Sequence, residues 1–130
     1  MKDDNEPILG IDLGTTYSVV SVFHNGTVKI FQDELGNKII PSFISFENEN
    51  KMNVGSIAKI KLDSKGTAVI YDVKRLIGRT CDDIHIIEDK KNWPFKIEPD
   101  KNNKPKIVIQ VKKERKNSKL NELNIRNYIK

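Results

Sequence analysis

Residues 8–18 constrain the fold most, because they predict two strands joined by a turn too short to contain any other element. Their sequence is Ile-Leu-Gly-Ile-Asp-Leu-Gly-Thr-Thr-Tyr-Ser, and apolar residues resume after it as far as Phe23. Strands this close in sequence fold back on each other as an antiparallel hairpin. Gly10 and Gly14 have no Cβ atom, so the backbone can take positive φ angles there and a ligand can come very close to the main-chain N–H groups.

The turn between these strands has the composition of an anion-binding site. Its backbone N–H groups and the hydroxyls of Thr15 and Thr16 predict a concave row of donors suited to phosphate oxygens. Asp12, just before the turn, suits a hydrated Mg²⁺, because this ion prefers oxygen ligands and keeps several waters. The alternative is a plain glycine hairpin whose threonines satisfy the turn, and a short glycine pattern does not separate the two.

The remaining chain predicts more strands than helices. Asn25 and Gly26 form a two-residue hairpin signal between strands at 17–24 and 27–32. Further predictions are strands at 39–46, 67–71 and 106–112, a polar loop at 47–53, a short helix at 55–62 and the start of a helix at 120–130. In the strand at 106–112, Ile107, Ile109 and Val111 are expected to face inward against polar neighbours. The fold class is therefore α+β, a mixed and largely antiparallel sheet with few short helices.

The positive charge of the chain is concentrated in its last thirty residues. Residues 1–100 contain 13 basic and 16 acidic residues, a net charge of −3, whereas residues 101–130 contain 10 and 2, a net charge of +8. A basic patch can bind nucleic acid or anionic lipid. The tail has Tyr128 as its one aromatic residue and no recognisable binding module, which favours a solvated basic surface over nucleic-acid binding.

Cysteine content and apolar runs indicate the compartment. Cys81 is the single cysteine, which excludes an internal disulfide and suits a reducing environment. The acidic N-terminal arm, residues 1–7, lacks the apolar core of a signal peptide. No apolar run reaches membrane-spanning length. We therefore expect a soluble, cytoplasmic protein without membrane association.

Several segments resemble one protein family. Residues 8–18 resemble the first phosphate loop of the seventy-kilodalton heat-shock chaperones, which belong to the actin-like ATPase superfamily. Further motifs similar to that family follow in order: ELGN at 34–37, PSFISF at 41–46, VGSIAK at 54–59, YDVKRLIGR at 71–79 and WPF at 93–95. The resemblance assigns residues 8–97 to the N-terminal lobe portion of the nucleotide-binding domain and weakens over the basic segment 98–130. It implies part of one lobe of an actin-like, ribonuclease-H-like α/β ATPase fold.

The resemblance also implies a set of ligand contacts at the first turn. Gly14, Thr15, Thr16 and Tyr17 match the family's contacts to the β- and γ-phosphates of ATP. Asp12 matches the carboxylate near Mg²⁺, which it holds through water. ATP and Mg²⁺ are thus the implied cofactors.

Lys74 is the catalytic residue that the resemblance implies. In the family, the lysine at this place reaches the γ-phosphate and helps to position the attacking water, and an ammonium group suits the charge on a transferring phosphoryl group. Asp72 as a helix N-cap and Gly78 as a left-handed helix end are expected to fix Lys74 on a short helical turn. From the residues alone, a surface lysine beside Arg75 is the favoured interpretation.

The family's other functional parts are not found in the sequence. It contains no second phosphate loop, no adenosine-binding segment and no peptide-binding domain, so we expect a truncated, ATP-binding portion of a chaperone that does not hydrolyse ATP alone. Uncovered sheet faces predict self-association. The partners implied by the resemblance are unfolded polypeptides, J-domain co-chaperones and nucleotide-exchange factors. The alternative function is a non-catalytic interaction module derived from the ATPase domain.

Overall fold

The structure, a computed structural model, describes residues 6–111 and the backbone of residues 121–124. Its strands are β1 (Ile8–Leu13), β2 (Tyr17–His24), β3 (Thr27–Ile30), β4 (Ile40–Pro41), β5 (Ile44–Asn48), β6 (Lys51–Val54), β7 (Ala68–Ile70), β8 (Lys96–Pro99), β9 (Pro105–Val111) and β10 (Asn121–Asn124). Its helices are α1 (Ser56–Ile60) and α2 (Ile84–Asp89), with 3-10 helices over Lys61–Asp63 and Val73–Arg75. The predicted class, a mixed and largely antiparallel sheet structure with few short helices, is confirmed.

The first sheet has the order β1-β2-β3, with β4 also paired to β2. The hairpin predicted from residues 8–18 is confirmed, with Ile8 opposite Phe23 and Leu13 opposite Ser18. The second hairpin is also confirmed, because Asn25 and Gly26 have φ angles of 50° and 72°, as a tight turn with two left-handed residues requires.

The single strand predicted at 39–46 is wrong, because this segment divides between two sheets. β4 pairs with β2, whereas β5 lies between β6 and β7 in a second sheet. The chain turns at the division, where the Phe43 N–H donates to the Pro41 carbonyl over 2.8 Å. The loop predicted at 47–53 is also wrong, since β5 and β6 form a hairpin through it. The short helix at 55–62 and the strand at 67–71 are confirmed as α1 and β7.

The third sheet has the order β10-β9-β8. β9 confirms the strand predicted at 106–112, and Ile107, Ile109 and Val111 are buried as expected. Val108 is buried as well, so this strand is covered on part of its other face. The helix predicted to start within 120–130 is wrong at Asn121–Asn124, which form β10 beside β9. The other residues of that range lie outside the described residues.

The hydrophobic core lies between the second and third sheets and α2. Its buried members are Phe46, Ile70, Leu76, Ile86, Trp93, Phe95, Ile107, Ile109 and Val111. The rings of Trp93 and Phe95 stack with their centroids 5.5 Å apart. In contrast, all six residues of β1 are exposed, among them Leu9 at 62% and Ile11 at 67%. No helix in the described residues is long and apolar enough to cross a membrane.

Candidate functional site

The turn between β1 and β2 consists of Gly14, Thr15 and Thr16. The backbone freedom that Gly10 and Gly14 allow is not used for a left-handed conformation, since neither residue has a positive φ angle. A Cβ atom at Gly14 would instead lie 2.1 Å from the backbone oxygen of Tyr17. Gly14 is therefore required by the close approach of the chain to itself across the turn.

Free hydrogen-bonding groups line this turn. Within the described residues, the hydroxyls of Thr15 and Thr16 and their two backbone N–H groups make no hydrogen bond to another part of the chain. Both residues remain at least partly accessible. The turn thus presents the donors that a phosphate group requires.

Ser42 lies in the connection between β4 and β5 and is hydrogen-bonded to the turn. Its hydroxyl donates to the Gly14 carbonyl over 2.9 Å and lies 2.9 Å from the Ser18 hydroxyl. Its N–H donates to the Thr16 carbonyl over 2.9 Å. Sequence reasoning gave Ser42 no role, because its contacts are 24 to 28 residues away in the chain and no local pattern predicts them.

Lys74 lies in the 3-10 helix Val73–Arg75 and is exposed. The predicted left-handed end at Gly78 is confirmed by a φ of 77°. The predicted side-chain N-cap at Asp72 is wrong: Asp72 precedes the helix with a φ of 60° and forms no capping hydrogen bond through its side chain. Its carboxylate oxygen lies 3.7 Å from Arg75 Nε instead, so Asp72 interacts with the helix through a neighbouring side chain.

The two basic residues of this short helix differ in their partners. Arg75 is within ion-pair distance of Asp72 and of Asp89, the latter at 3.4 Å. In the described part of the chain, no carboxylate lies within 4.0 Å of the Lys74 ammonium group. Lys74 is therefore available to an anionic ligand.

One cavity of about 370 Å³ brings the turn and Lys74 together. Gly14 and Thr15 line it from the first sheet, and Lys74 lines it from the 3-10 helix. Its other lining residues are mainly apolar, namely Leu13, Val20, Ile40, Pro41, Phe43, Ile44, Val54, Ile70, Val73 and Ile77, with Ser18 and Ser42 as polar members. An anion in this cavity would therefore lie between the turn and Lys74.

The remaining predicted site residues do not line this cavity. Asp12 lies opposite Val19 in the hairpin and is exposed. Thr16 is exposed at the turn, and its carbonyl is held by Ser42. Tyr17 is exposed, with its hydroxyl 3.5 Å from Lys59 Nζ.

Tyr71 supports one wall of the cavity from behind. Its ring stacks on Phe43 with the centroids 5.0 Å apart, and its hydroxyl donates to the Asn92 carbonyl over 3.2 Å. Burial, with a smaller effect from the Asp72 carboxylate, raises the pKa of Tyr71 above its ordinary value of 10.0. Tyr71 therefore stays neutral near pH 7 and acts as a packing group.

Within residues 6–111, no cluster of three or more His, Cys, Asp or Glu side chains is arranged to hold a metal ion. Asp12 supplies one exposed carboxylate beside the turn. A single carboxylate fits Mg²⁺, which usually retains waters and takes further oxygens from a substrate's phosphates.

Comparison with known protein families gives a match over most of the chain. Residues 8–126 match the family described as Hsp70 protein. This span includes the turn, Lys74 and all three sheets. Because it covers far more than half of the chain, the protein belongs to the Hsp70 family.

Proposed function

We propose that this chain binds the phosphates of ATP and forms one wall of a chaperone ATPase site. The observation that carries the proposal is the shared cavity, which Gly14 and Thr15 line from one side and Lys74 from the other. Within the described residues, the donors of the turn and the Lys74 ammonium group have no partner, and together they suit the negative charge of a polyphosphate. The chain's membership of the Hsp70 family supports a nucleotide as the ligand.

Each residue has a separate role in this proposal. Gly14, Thr15, Thr16 and Tyr17 contact the β- and γ-phosphates through backbone N–H groups and hydroxyls. Lys74 attracts the γ-phosphate and orients the water that attacks it.

In this proposal, Asp12 would hold Mg²⁺ through water. When bound, Mg²⁺ neutralises charge on the phosphates. The exposed position of Asp12 beside the turn leaves room for those waters.

The energetics predict weak binding and no turnover by this chain alone. About four net hydrogen bonds, each worth roughly 0.5–1.5 kcal/mol, stabilise the complex. Association costs an estimated 4 kcal/mol or more. The surplus is at most about 2 kcal/mol, less than the roughly 4 kcal/mol of a millimolar constant. Phosphoryl transfer also needs a closed, water-poor site, whereas Thr16 and Lys74 are exposed in this chain.

NMR titration of the ¹⁵N-labelled full chain tests the proposal. With Mg-ATP raised to about 20 mM, a range that detects constants weaker than millimolar, the amide signals of residues 14–17 should shift progressively. Lys74→Met should weaken this response with little effect on stability, because the side chain is exposed. Arg75→Met is the matched control, since Arg75 already has carboxylate partners. Unmoved signals at residues 14–17, or equal effects of the two variants, would contradict the proposal.

Inactivity has its own test. Phosphate release by the chain with Mg-ATP should equal that of a blank without protein. Turnover that Lys74→Ala abolishes would show that the chain hydrolyses ATP without a second wall.

A second candidate is a non-catalytic interaction module that binds J-domain proteins, exchange factors or unfolded polypeptides. The observation that favours it is the exposed apolar surface of β1. Two results together would favour this candidate over the first. The chain would show no response to ATP, and the Lys74→Met variant would still bind such a partner.

A further inference from the structure

We propose that Ser42 is the positioning residue of the turn at residues 14–16, and that it aims the turn's N–H groups toward an anionic ligand. The identity of that ligand rests on the proposed function; the geometry does not. Three hydrogen bonds of 2.9 Å join Ser42 to Gly14, Thr16 and Ser18.

The protons in this cluster have one consistent arrangement. A serine hydroxyl has a single proton to donate, whereas a carbonyl oxygen only accepts. The bond from Ser42 to the Gly14 carbonyl therefore uses the Ser42 proton. The Ser18 hydroxyl must then donate to Ser42 Oγ, which gives a chain directed from Ser18 through Ser42 to Gly14.

Ser42 fixes the orientation of two peptide groups. In a planar trans peptide, the C=O and the following N–H point in opposite directions. The Gly14 carbonyl points to the Ser42 hydroxyl, so the Thr15 N–H points away from Ser42. The Thr16 carbonyl points to the Ser42 N–H, so the Tyr17 N–H also points away from it.

The consequence is a turn that is preorganised before any ligand arrives. Neither peptide group can rotate without breaking a hydrogen bond to Ser42. A ligand that accepts from these N–H groups therefore does not have to order them, which removes part of the cost of binding. Gly14 allows the turn to close this tightly, because a side chain there would meet the Tyr17 carbonyl.

The free protein provides the first test. Ser42→Ala removes the donor to Gly14, whereas the matched control Ser18→Ala keeps it. In the labelled full chain, Ser42→Ala should move the carbonyl ¹³C signal of Gly14, which loses its hydroxyl donor. The variant keeps the backbone N–H of residue 42, but the loosened turn should let this N–H exchange about fivefold faster, the factor expected for the loss of one hydrogen bond. Ser18→Ala and the conservative Ser42→Thr should leave both readouts near the wild-type values.

Two results in the free protein would overturn the proposal. One is a Gly14 signal unchanged by Ser42→Ala, and the other is an equal change caused by Ser18→Ala. If Ser42→Ala does not fold, Ser42→Cys replaces it, because a thiol is a weaker donor, and the same two readouts apply.

A Mg-ATP titration separates this inference from the proposed function. Ser42→Ala should reduce the response of the Thr15 N–H signal at a given concentration by more than half. Ser21→Ala, which removes a hydroxyl that donates to the Gly10 carbonyl outside the cavity, should not. A wild-type chain without any response contradicts the proposed function, while the free-protein readouts still decide the role of Ser42. Equal responses of the wild type and Ser42→Ala would exclude Ser42 as a positioning residue.

Discussion

Replacing Gly14 by alanine tests whether this glycine serves the ligand or the chain itself. The added Cβ atom would lie 2.1 Å from the Tyr17 backbone oxygen, whereas Cβ atoms in proteins stay about 3.0 Å or more from such neighbours. The two atoms therefore have to separate by about 0.9 Å. The obstacle is the backbone of β2, which cannot rotate away as a flexible side chain does.

The expected cost follows from that geometry. Overpacking costs about 1–3 kcal/mol, and a clash with paired backbone belongs in the upper part of this range, about 2–3 kcal/mol. For a domain of about one hundred residues, this lowers the melting temperature by about 8–12 °C. If Gly14 only made room for a ligand, the stability of the free protein would not change.

Thermal unfolding followed by circular dichroism, without nucleotide, measures this effect. Gly26→Ala is the control, since Gly26 has a φ of 72° and no atom within 4 Å of an added Cβ. Its cost is the left-handed backbone alone, about 1–2 kcal/mol. A melting temperature for Gly14→Ala within about 4 °C of the wild type, or a larger loss for Gly26→Ala, would refute the steric explanation.

Two further predictions concern charge and association. The Lys61 ammonium group lies 2.5 Å from the Glu47 carboxylate. Together with a second lysine, whose effect is smaller, it lowers the pKa of Glu47 from 4.5 to about 2. The ionised carboxylate thus stabilises the fold above about pH 4.5, and this contribution is lost as the pH falls toward 2. The urea midpoint of Glu47→Gln should therefore decline less than that of the wild type over this range, and parallel declines would contradict the assignment. Ile11→Lys should reduce self-association in sedimentation velocity, because it places a charge on the open edge strand β1. The control Ile60→Lys, at a 72% exposed position in α1, should leave self-association unchanged. A wild type that stays monomeric at all concentrations would exclude this edge as an association site.

The sequence predicted best those features that depend on neighbouring residues. The hairpin turn at Asn25 and Gly26 and the left-handed Gly78 are local, and both are confirmed. The strand at 39–46 failed because its two halves pair with different sheets, and hydropathy along the chain does not reveal a change of partner. The strand Asn121–Asn124 failed for a similar reason, since its pairing partner is β9.

For the candidate site, the sequence indicated which residues to consider but not how they are arranged. The sequence indicated the turn and Lys74, and the structure places Gly14, Thr15 and Lys74 around one cavity. It did not indicate Ser42, whose hydrogen bonds reach across 24 to 28 residues. It also explained Gly14 by backbone freedom and by room for a ligand, whereas the structure shows that a Cβ atom there would meet the carbonyl of Tyr17. Both differences arise because a local pattern identifies a residue type but not the atom that it meets.

The position of the hydrophobic core implies unequal resistance to local unfolding. Among residues 6–111, all nine buried core members come from residue 46 onward, and none belongs to the sheet that contains the turn. We therefore expect that sheet to open at lower free energy than the aromatic and aliphatic cluster. Opening of the N-terminal hairpin would therefore leave intact the cluster on which the rest of the chain depends for its order.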